Sequence, residues 1–189
     1  FCPTTRGRPT RFRGHLLHRI VVLHLLNFKD FDVAFDSQRQ RKIMSRFATG
    51  VTVASTMVDG ETWGMTANAV ASLSLEPPLV LLAVVRATPS HRLFTRGRCF
   101  ALNILAADQQ DLSIRFSSPG PKDFSELDSH TAATGAPILA DALGWVDCKI
   151  VQIVPGGDHD VFIGEILDGG LRDGKPLLYF GSRYRELAD

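Results

Sequence analysis

The side chains best suited to chemistry lie within residues 64–78. Four small polar residues recur there at even spacing: Thr66, Asn68, Ser72 and Ser74. Successive side chains of a strand alternate between its two sides, so an extended segment would project all four to one side. A row of short donors and acceptors suits a groove for a flat, oxygen-rich ligand. The alternative interpretation is an amphipathic strand whose polar side faces solvent.

Two asparagines favour the ligand interpretation. Asn68 and Asn103 each fall inside a predicted strand, although asparagine is disfavoured in strands. A buried side-chain amide needs hydrogen-bond partners. The edge of an isoalloxazine ring, which carries two carbonyls and an N–H group, would supply them.

A second cluster spans residues 86–91, Arg-Ala-Thr-Pro-Ser-His, where an apolar strand meets a helix. Thr88 and Ser90 can cap that helix, and the N–H groups at a helix N-terminus attract phosphate. Arg86 would add a charge-assisted contact. The alternative is an ordinary capped helix with a surface arginine.

The third candidate is His159, which follows a Gly-Gly-Asp run. Its ring could donate a hydrogen bond to a nicotinamide amide or a flavin carbonyl. Histidine titrates near neutral pH, so both of its charge states are accessible. The alternative is a residue that simply completes a turn.

Several other functional classes lack their signature residues. The chain has no G-x-G-x-x-G fingerprint and no P-loop. His91, His130 and His159 lie in the predicted barrel region, and none shows the spacing of a metal site or of a nucleophile–histidine pair. The net charge of +1 indicates neither nucleic-acid nor membrane-surface binding. No apolar run is long enough to span a bilayer.

The composition indicates one globular domain with a sizeable core. Of the 189 residues, 44% are hydrophobic and 22% are charged. We expect this domain at residues 36–189. Residues 1–35 are expected to be a basic leader, either disordered or a remnant of expression or mistranslation. Cys99 and Cys148 lie in apolar runs without a pairing pattern, which favours buried free thiols in a cytoplasmic protein.

The predicted elements are mostly strands. Asp36 or Ser37 can cap a helix that reaches Phe47, Asp59-Gly60 is a hairpin-type turn, and the polar row continues as a strand to Leu75. The other predicted elements are an apolar strand at 79–85 that is buried on both faces, strands at 51–57, 99–105, 145–154, 161–167 and 176–180, helices at 89–95 and 108–116, a loop at 117–136, and turns at Gly169-Gly170 and Asp173-Gly174. About seven strands joined by tight turns favour an antiparallel barrel over a βαβ array.

Several segments, in a fixed order, resemble the short-chain flavin reductase family. They are Phe47-Ala-Thr-Gly-Val-Thr-Val, Gly64-Met-Thr-Ala-Asn68, Ser72-Leu-Ser-Leu-Glu-Pro-Pro, Phe100-Ala-Leu-Asn-Ile-Leu, Gly157-Asp-His-Asp-Val-Phe-Ile-Gly-Glu and Tyr179-Phe-Gly-Ser-Arg-Tyr-Arg185. The resemblance covers residues 36–187 and implies the FMN-binding split barrel, a mainly β fold, usually a homodimer with flavin at the subunit interface. It implies an oxidoreductase that takes NADH or NADPH, reduces FMN or FAD, and releases the reduced flavin to a partner monooxygenase.

The resemblance also implies roles for individual residues. The flavin would be lined by Met65, Thr66, Ala67, Asn68, Ser72, Ser74 and Leu75. The phosphate-side segment would be Arg86, Thr88 and Ser90, and the ring-side strand would contribute Ala101 and Asn103. His159 matches the histidine that meets the nicotinamide, and Tyr184 and Arg185 would close that side.

Some positions depart from the family pattern, and some alternatives stay open. The family often has hydroxyl residues where this chain has Ala69 and Ala71, and Lys122-Asp123-Phe124 inverts a common Asp-Lys-Phe order. One alternative function is a non-catalytic flavin- or haem-binding carrier or sensor on the same barrel. Another is a flavoenzyme that keeps FMN tightly bound. NADPH stays open beside NADH because Arg183 and Arg185 could accommodate a 2′-phosphate.

Overall fold

The computed structural model describes residues 35–187 of the chain. The α-helices in this range are α1 (Ser37–Met44), α2 (Pro89–Gly97) and α3 (Gln110–Ser117), and a 3-10 helix spans Ala107–Gln109. The strands are β1 (Thr49–Gly50), β2 (Thr52–Val58), β3 (Glu61–Ala67), β4 (Val70–Leu75), β5 (Pro78–Val85), β6 (Cys99–Ile104), β7 (Ser129–Thr131), β8 (Pro137–Leu139), β9 (Gly144–Gly156), β10 (His159–Leu171), β11 (Leu178–Phe180) and β12 (Arg183–Arg185). The predicted leader, apart from Phe35, lies outside the described residues and stays a prediction.

Seven strands form one antiparallel sheet in the order β3-β2-β6-β9-β10-β5-β4. The two edge strands, β3 and β4, are consecutive in the chain, and only Asn68 and Ala69 separate them. Neighbouring strands lie about 4.8 Å apart, so a two-residue link cannot span a flat sheet of this width. The sheet therefore curls until its edges approach each other at this end, although no ladder joins β3 to β4 within residues 35–187. The predicted antiparallel, mainly β fold is confirmed.

The continuous strand predicted through the polar row is wrong. Thr66 belongs to β3 at one edge of the sheet, whereas Ser72 and Ser74 belong to β4 at the opposite edge. Asn68 lies in the link between them and is exposed. The alternation of small polar residues continues across the link, so periodicity could not reveal that β3 pairs with β2 and β4 with β5.

Strand β5 corrects the prediction of a strand buried on both faces. Val80, Leu82 and Val84 are at most 8% exposed, whereas the residues that alternate with them between Leu79 and Val85 are half-buried. Only one side of β5 meets the core. The outer side of β5 borders a cleft beside α1.

The core inside the sheet is rich in aromatic residues. Phe94 of α2 is fully buried, and its ring centroid lies 6.5 Å from that of Phe100 on β6 and 6.2 Å from that of Phe162 on β10. Burial of one such side chain contributes about 1.5–3 kcal/mol. This packing anchors α2 on the sheet and fixes the position of its N-terminus.

Two local predictions are confirmed. Asp36 caps α1 by accepting hydrogen bonds from the backbone N–H groups of Gln38 and Arg39, each at 3.1 Å. Asp59 and Gly60 both have positive φ, as a type I′ hairpin turn requires. That turn joins β2 to β3 and so sets the register of the strand that carries Thr66.

The turn predicted at Gly169-Gly170 is wrong, because both residues lie within β10. A Cβ atom on Gly170 would lie 2.6 Å from Nε1 of Trp145. The glycine thus permits the indole to pack against the strand.

Within residues 35–187, no helix has the length and apolar character needed to cross a bilayer.

Candidate functional site

Two adjoining pockets form a groove along β3, called here the β3 groove. The first has a volume of about 220 Å³ and is lined by Val51, Thr66, Ala67, Asn68, Ser113, Ser117, Tyr179 and Tyr184. The second has a volume of about 530 Å³, and its lining includes Trp63, Met65, Thr66, Val85, Thr88, Ser90, Phe116, Ser117, Ser118 and Lys122. Thr66 and Ser117 line both pockets, so the two pockets adjoin along β3. Its walls contain the predicted residues Met65, Thr66, Ala67, Asn68, Thr88, Ser90 and Tyr184.

Hydrogen bonds fix the middle of the groove. The Thr66 hydroxyl donates to the backbone carbonyl of Ser113 at 2.6 Å, and the Ser113 hydroxyl lies 2.8 Å from the Tyr184 hydroxyl. The Tyr184 ring meets the ring of Tyr179 edge-on at 5.4 Å. These contacts tie β3, α3 and the β11–β12 hairpin together, so the polar atoms of the groove are held in place before any ligand binds.

The N-terminus of α2 supplies hydrogen-bond donors to the second pocket. Thr88 caps the helix, because its hydroxyl accepts from the backbone N–H of His91 at 3.3 Å. The Ser90 hydroxyl accepts from Nε1 of Trp63 at 3.0 Å. An indole N–H can only donate, so the hydroxyl hydrogen of Ser90 stays available to a ligand. A helix N-terminus with a free hydroxyl suits a phosphate group.

Arg86, predicted on the phosphate side, lies in an ion cluster with Asp160 and His91. Its Nε and one terminal nitrogen each lie 2.6 Å from Oδ1 of Asp160, and Nε2 of His91 lies 2.7 Å from Oδ2. Burial alone would raise the pKa of Asp160, but the hydrogen bonds from His91 and Arg86 outweigh it and lower that pKa. The cluster connects the start of α2 to β10, at the residue that follows His159.

His159 starts β10 and pairs in register with Val85, a residue of the groove wall. Its Nδ1 lies 2.7 Å from Oδ1 of Asp158, and its side chain is 38% exposed. The hydrogen bond to His159, and then its charge, lower the pKa of Asp158. An ionised carboxylate only accepts, so Nδ1 carries the hydrogen of this bond and Nε2 is the nitrogen left for a ligand.

The structure contradicts the expectation that Asn103 needs a ligand for its amide. Asn103 is fully buried; its Nδ2 donates to the carbonyl of Val53 at 3.0 Å, and its Oδ1 accepts from the N–H of Leu139 at 2.8 Å. The protein therefore satisfies the amide. Ala101 is also fully buried. Both residues stabilise the junction of β2, β6 and β8 and do not line the β3 groove.

Four more predicted residues lie outside the groove. Ser72, Ser74 and Leu75 are on β4 at the opposite edge of the sheet, and Leu75 is 91% exposed. Arg185 lines a separate pocket of about 320 Å³, which shares Tyr184 with the groove.

A third pocket of about 600 Å³ adjoins the groove and is called here the α1 cleft. It is lined by Arg41, Met44, Ser45, Phe47, Thr49, Asn68, Ala69, Val70, Leu81, Ala83, Tyr179 and Ser182. Asn68 and Tyr179 belong to both the cleft and the groove. The side-chain amide of Asn68 donates to the Thr49 hydroxyl at 3.3 Å, which ties the β3–β4 link to β1.

The donors of the groove fit a flavin. Short hydroxyl and amide groups around Thr66 and Asn68 suit the polar edge of its ring, and the α2 N-terminus with Ser90 suits its phosphate. Sequence reasoning missed Ser113, Ser117, Trp63 and Lys122, which line the same groove. The spacing of Ser113 and Ser117, i and i+4 on one helix, was an available signal that both face the same side.

Comparisons with known proteins agree with this geometry. A family model described as "Flavin reductase like domain" matches residues 44–188. The chain is 36% identical over 152 residues to the reductase subunit HsaB of a flavin-dependent monooxygenase from Rhodococcus jostii, a match that covers 80% of this chain and 78% of the relative. It is 36% identical over 160 residues to the NADH-dependent flavin reductase StyB of Pseudomonas fluorescens, covering 82% and 93% of the two chains.

A solved structure is similar as well. The NADH:FAD oxidoreductase SgcE6 of Streptomyces globisporus, in complex with NAD and FAD fragments, superposes with a TM-score of 0.77 at 34% identity. The superposition covers 81% of this chain and 93% of the other. The family match over residues 44–188 includes the strands and helices that build the β3 groove.

Proposed function

Because the chain belongs to the flavin reductase like domain family, we propose that it is an NADH-dependent flavin reductase. It oxidises NADH, reduces FMN or FAD, and supplies the reduced flavin to a partner monooxygenase. The observation that carries the proposal is the family match over residues 44–188, which includes every residue of the β3 groove. NADPH stays an alternative donor.

The protein contributes position and electrostatics to this reaction. When bound, flavin supplies the chemistry of hydride acceptance. Thr66 and Asn68 hydrogen-bond the ring, and Ser90 binds the phosphate at the α2 N-terminus. Thr88 caps that terminus, and its own hydroxyl and N–H donate to the carbonyl of Val85. His159 is oriented by Asp158 through Nδ1, which carries the hydrogen of the neutral ring. Its Nε2 therefore donates to the nicotinamide carboxamide or to a ring carbonyl only as the imidazolium. This assignment needs no protein nucleophile or general acid.

The first test follows NADH absorbance after mixing the protein with NADH and a slight excess of FMN, and then of FAD. Rapid oxidation that depends on added flavin supports a reductase that uses flavin as a substrate. A yellow protein whose flavin does not exchange would favour the alternative of tightly bound FMN. Flavin binding without NADH oxidation would favour a carrier or sensor and contradict the proposal.

A second test addresses His159. A lost hydrogen bond to a charged group costs about 1.5–3 kcal/mol, so His159→Ala is expected to slow flavin reduction by NADH about 10- to 100-fold. Its flavin affinity should stay within twofold of the original. The matched control is His130→Ala, at an exposed position on β7. Equal loss of flavin affinity and reduction rate in stopped-flow and binding assays would remove the role from His159.

The proposal includes a homodimer. Helix α1 has no buried residue within the described chain, and an eight-residue helix is marginal without packing. Ile43, Met44 and Phe47, in and just after α1, are 52%, 57% and 69% exposed beside the α1 cleft. A second copy would cover these side chains and add surface to the flavin site.

Cytoplasmic location is also part of the proposal, since Cys99 and Cys148 are free thiols.

Sedimentation and flavin titration test the dimer together. If the site is completed by the second copy, flavin affinity should fall as dilution dissociates the dimer. Phe47→Glu should weaken both the dimer and flavin binding, while Ile114→Glu, on the exposed side of α3, should weaken neither. A monomer that binds flavin as tightly as the dimer would exclude a shared site.

A further inference from the structure

The second pocket of the β3 groove is larger than one phosphate requires. Its volume of about 530 Å³ is within the range of roughly 300–1,000 Å³ that holds whole small ligands. Beyond Thr88 and Ser90 it extends to Trp63, Lys122 and the segment 116–120. The ring and phosphate contacts proposed above use neither Trp63, nor Lys122, nor the segment 116–120.

Lys122 is a cation held at the wall of this extension. Its ammonium donates to the backbone carbonyls of Arg115, at 2.9 Å, and Ser118. An ammonium has three hydrogens, and the third has no acceptor within residues 35–187. Burial, and then the neighbouring Arg115 guanidinium, lower the pKa of Lys122. A partly desolvated ammonium with one unused hydrogen would gain from an anionic oxygen.

The segment that carries Lys122 is fixed to the groove. The backbone N–H of Gly64 donates to the carbonyl of Lys122 at 2.8 Å, and the N–H of Phe124 donates to the Thr62 hydroxyl at 3.1 Å. Both contacts attach the segment to the edge of β3. Lys122 thus belongs to the preformed wall of the pocket.

The pocket also contains flat apolar surface. Trp63 is half-buried, and its indole is oriented by the hydrogen bond from Nε1 to Ser90. The extension therefore combines a first anion site at the α2 N-terminus, a second cation at Lys122 and an aromatic ring. These are the groups that a pyrophosphate-linked adenosine would contact.

We propose that this extension is a subsite for the second phosphate and the adenosine of FAD, and that Lys122 makes FAD the preferred flavin over FMN. The inference rests on the proposed function for the position of the first phosphate. NADH carries the same pyrophosphate-linked adenosine, and FAD is favoured because the extension continues directly from Thr88 and Ser90.

The test compares Lys122→Met and Lys122→Arg with the unchanged protein and with Lys149→Met, a lysine replaced at an exposed position on β9. KM for FAD and FMN is measured at saturating NADH, and KM for NADH is measured with FMN as acceptor. Lys122→Met should raise KM for FAD about 10-fold or more and leave KM for FMN within twofold. Lys122→Arg should retain most of the preference for FAD, and Lys149→Met should change nothing.

Three outcomes would overturn the subsite. In the first, Lys122→Met raises KM for FAD and KM for FMN equally, which would give Lys122 only a structural role. In the second, neither KM changes. In the third, KM for NADH rises in the FMN assay, which would assign the extension to the nicotinamide cofactor. Thermal melting of each variant excludes unfolding as the cause, and Lys122→Arg keeps the test valid if Lys122→Met does not fold. Flavin binding read from quenching of the fluorescence of the two tryptophans, Trp63 and Trp145, needs no turnover. A protein that prefers FAD in that titration but oxidises no NADH would therefore overturn the proposed function and leave the subsite standing.

Discussion

Asp160 is expected to stabilise the start of α2 more than any exposed ion pair does. One carboxylate oxygen of Asp160 bonds to His91 and the other to Arg86. The side chains of Asp160, His91 and Arg86 are 14%, 18% and 43% exposed. A buried hydrogen bond to a charged group contributes about 1.5–3 kcal/mol, and a solvent-exposed ion pair about 0.2–1 kcal/mol. Asp160→Ala should therefore lower the free energy of unfolding by about 2–4 kcal/mol. For a domain of about 150 residues this corresponds to a Tm lowered by about 4–16 °C.

The control is an ion pair of the same length without burial. Arg96 lies 2.6 Å from Asp59, and both side chains are more than 60% exposed, so Arg96→Ala should cost at most about 1 kcal/mol. Urea unfolding of both variants, followed by circular dichroism, measures the difference. If Asp160→Ala were no more destabilising than Arg96→Ala, the cluster would carry no structural weight and the reasoning would be refuted.

The same cluster predicts a pH dependence. The pKa of Asp160 is lower in the folded state than the unfolded value of about 3.9. A group of this kind contributes its full stability above the unfolded pKa, and the contribution is lost as the pH falls through the folded value. The difference in unfolding free energy between the original protein and Asp160→Asn should thus be largest above about pH 5 and shrink below about pH 4. A difference that grew on acidification would contradict the assignment.

Three further predictions concern the core. Gly164→Ala should destabilise by about 1–3 kcal/mol in a thermal melt, because its Cβ would lie 2.5 Å from Cζ of Phe100, whereas Gly50→Ala, with nothing within 4 Å, should be nearly neutral. Asn103→Ala should cost at least about 2 kcal/mol in urea, because it leaves buried backbone groups unpaired, yet leave the flavin Kd of the folded protein unchanged. Burial, and then the Asp147 carboxylate, raise the pKa of the Cys148 thiol to about 12, so mass spectrometry should find Cys148 unalkylated by iodoacetamide at pH 8 until the protein is unfolded.

Local chemistry made part of the molecule predictable from sequence. The Asp36 cap and the Asp59-Gly60 turn depend on neighbouring residues alone, so their signals are contained in short segments. The same holds for the Thr88 cap, which places a predicted phosphate-side residue at the groove. Thr66 was singled out because the alternation of small polar residues is a local pattern, whereas Met65 and Ala67 came from the family resemblance.

Long-range contacts explain what the sequence concealed. Asn103 is satisfied by Leu139, 36 positions later, and no local pattern indicates that partner. Arg86 pairs with Asp160, which lies 74 positions later in the chain. The sequence around Arg86 therefore gave no sign that its charge is already paired. Lys122 reaches the groove only because its segment bonds to the edge of β3. In each case the deciding contact joins strands or loops that pattern analysis treats separately.

The strand order also has a consequence for the sequence of folding events. The β9–β10 hairpin is local in the chain, since His159 pairs with Gly156, and it occupies the middle of the sheet. Local hairpins close with the least loss of chain entropy, and β2–β3 and β4–β5 are hairpins as well. The central hairpin meets β4–β5 through β5 on one flank and meets β2–β3 through β6 on the other. β3 and β4 are the outermost additions, each with a single neighbour. The ligand groove consequently lies along an edge strand with one neighbour, which can open locally while the central β9–β10 hairpin stays closed.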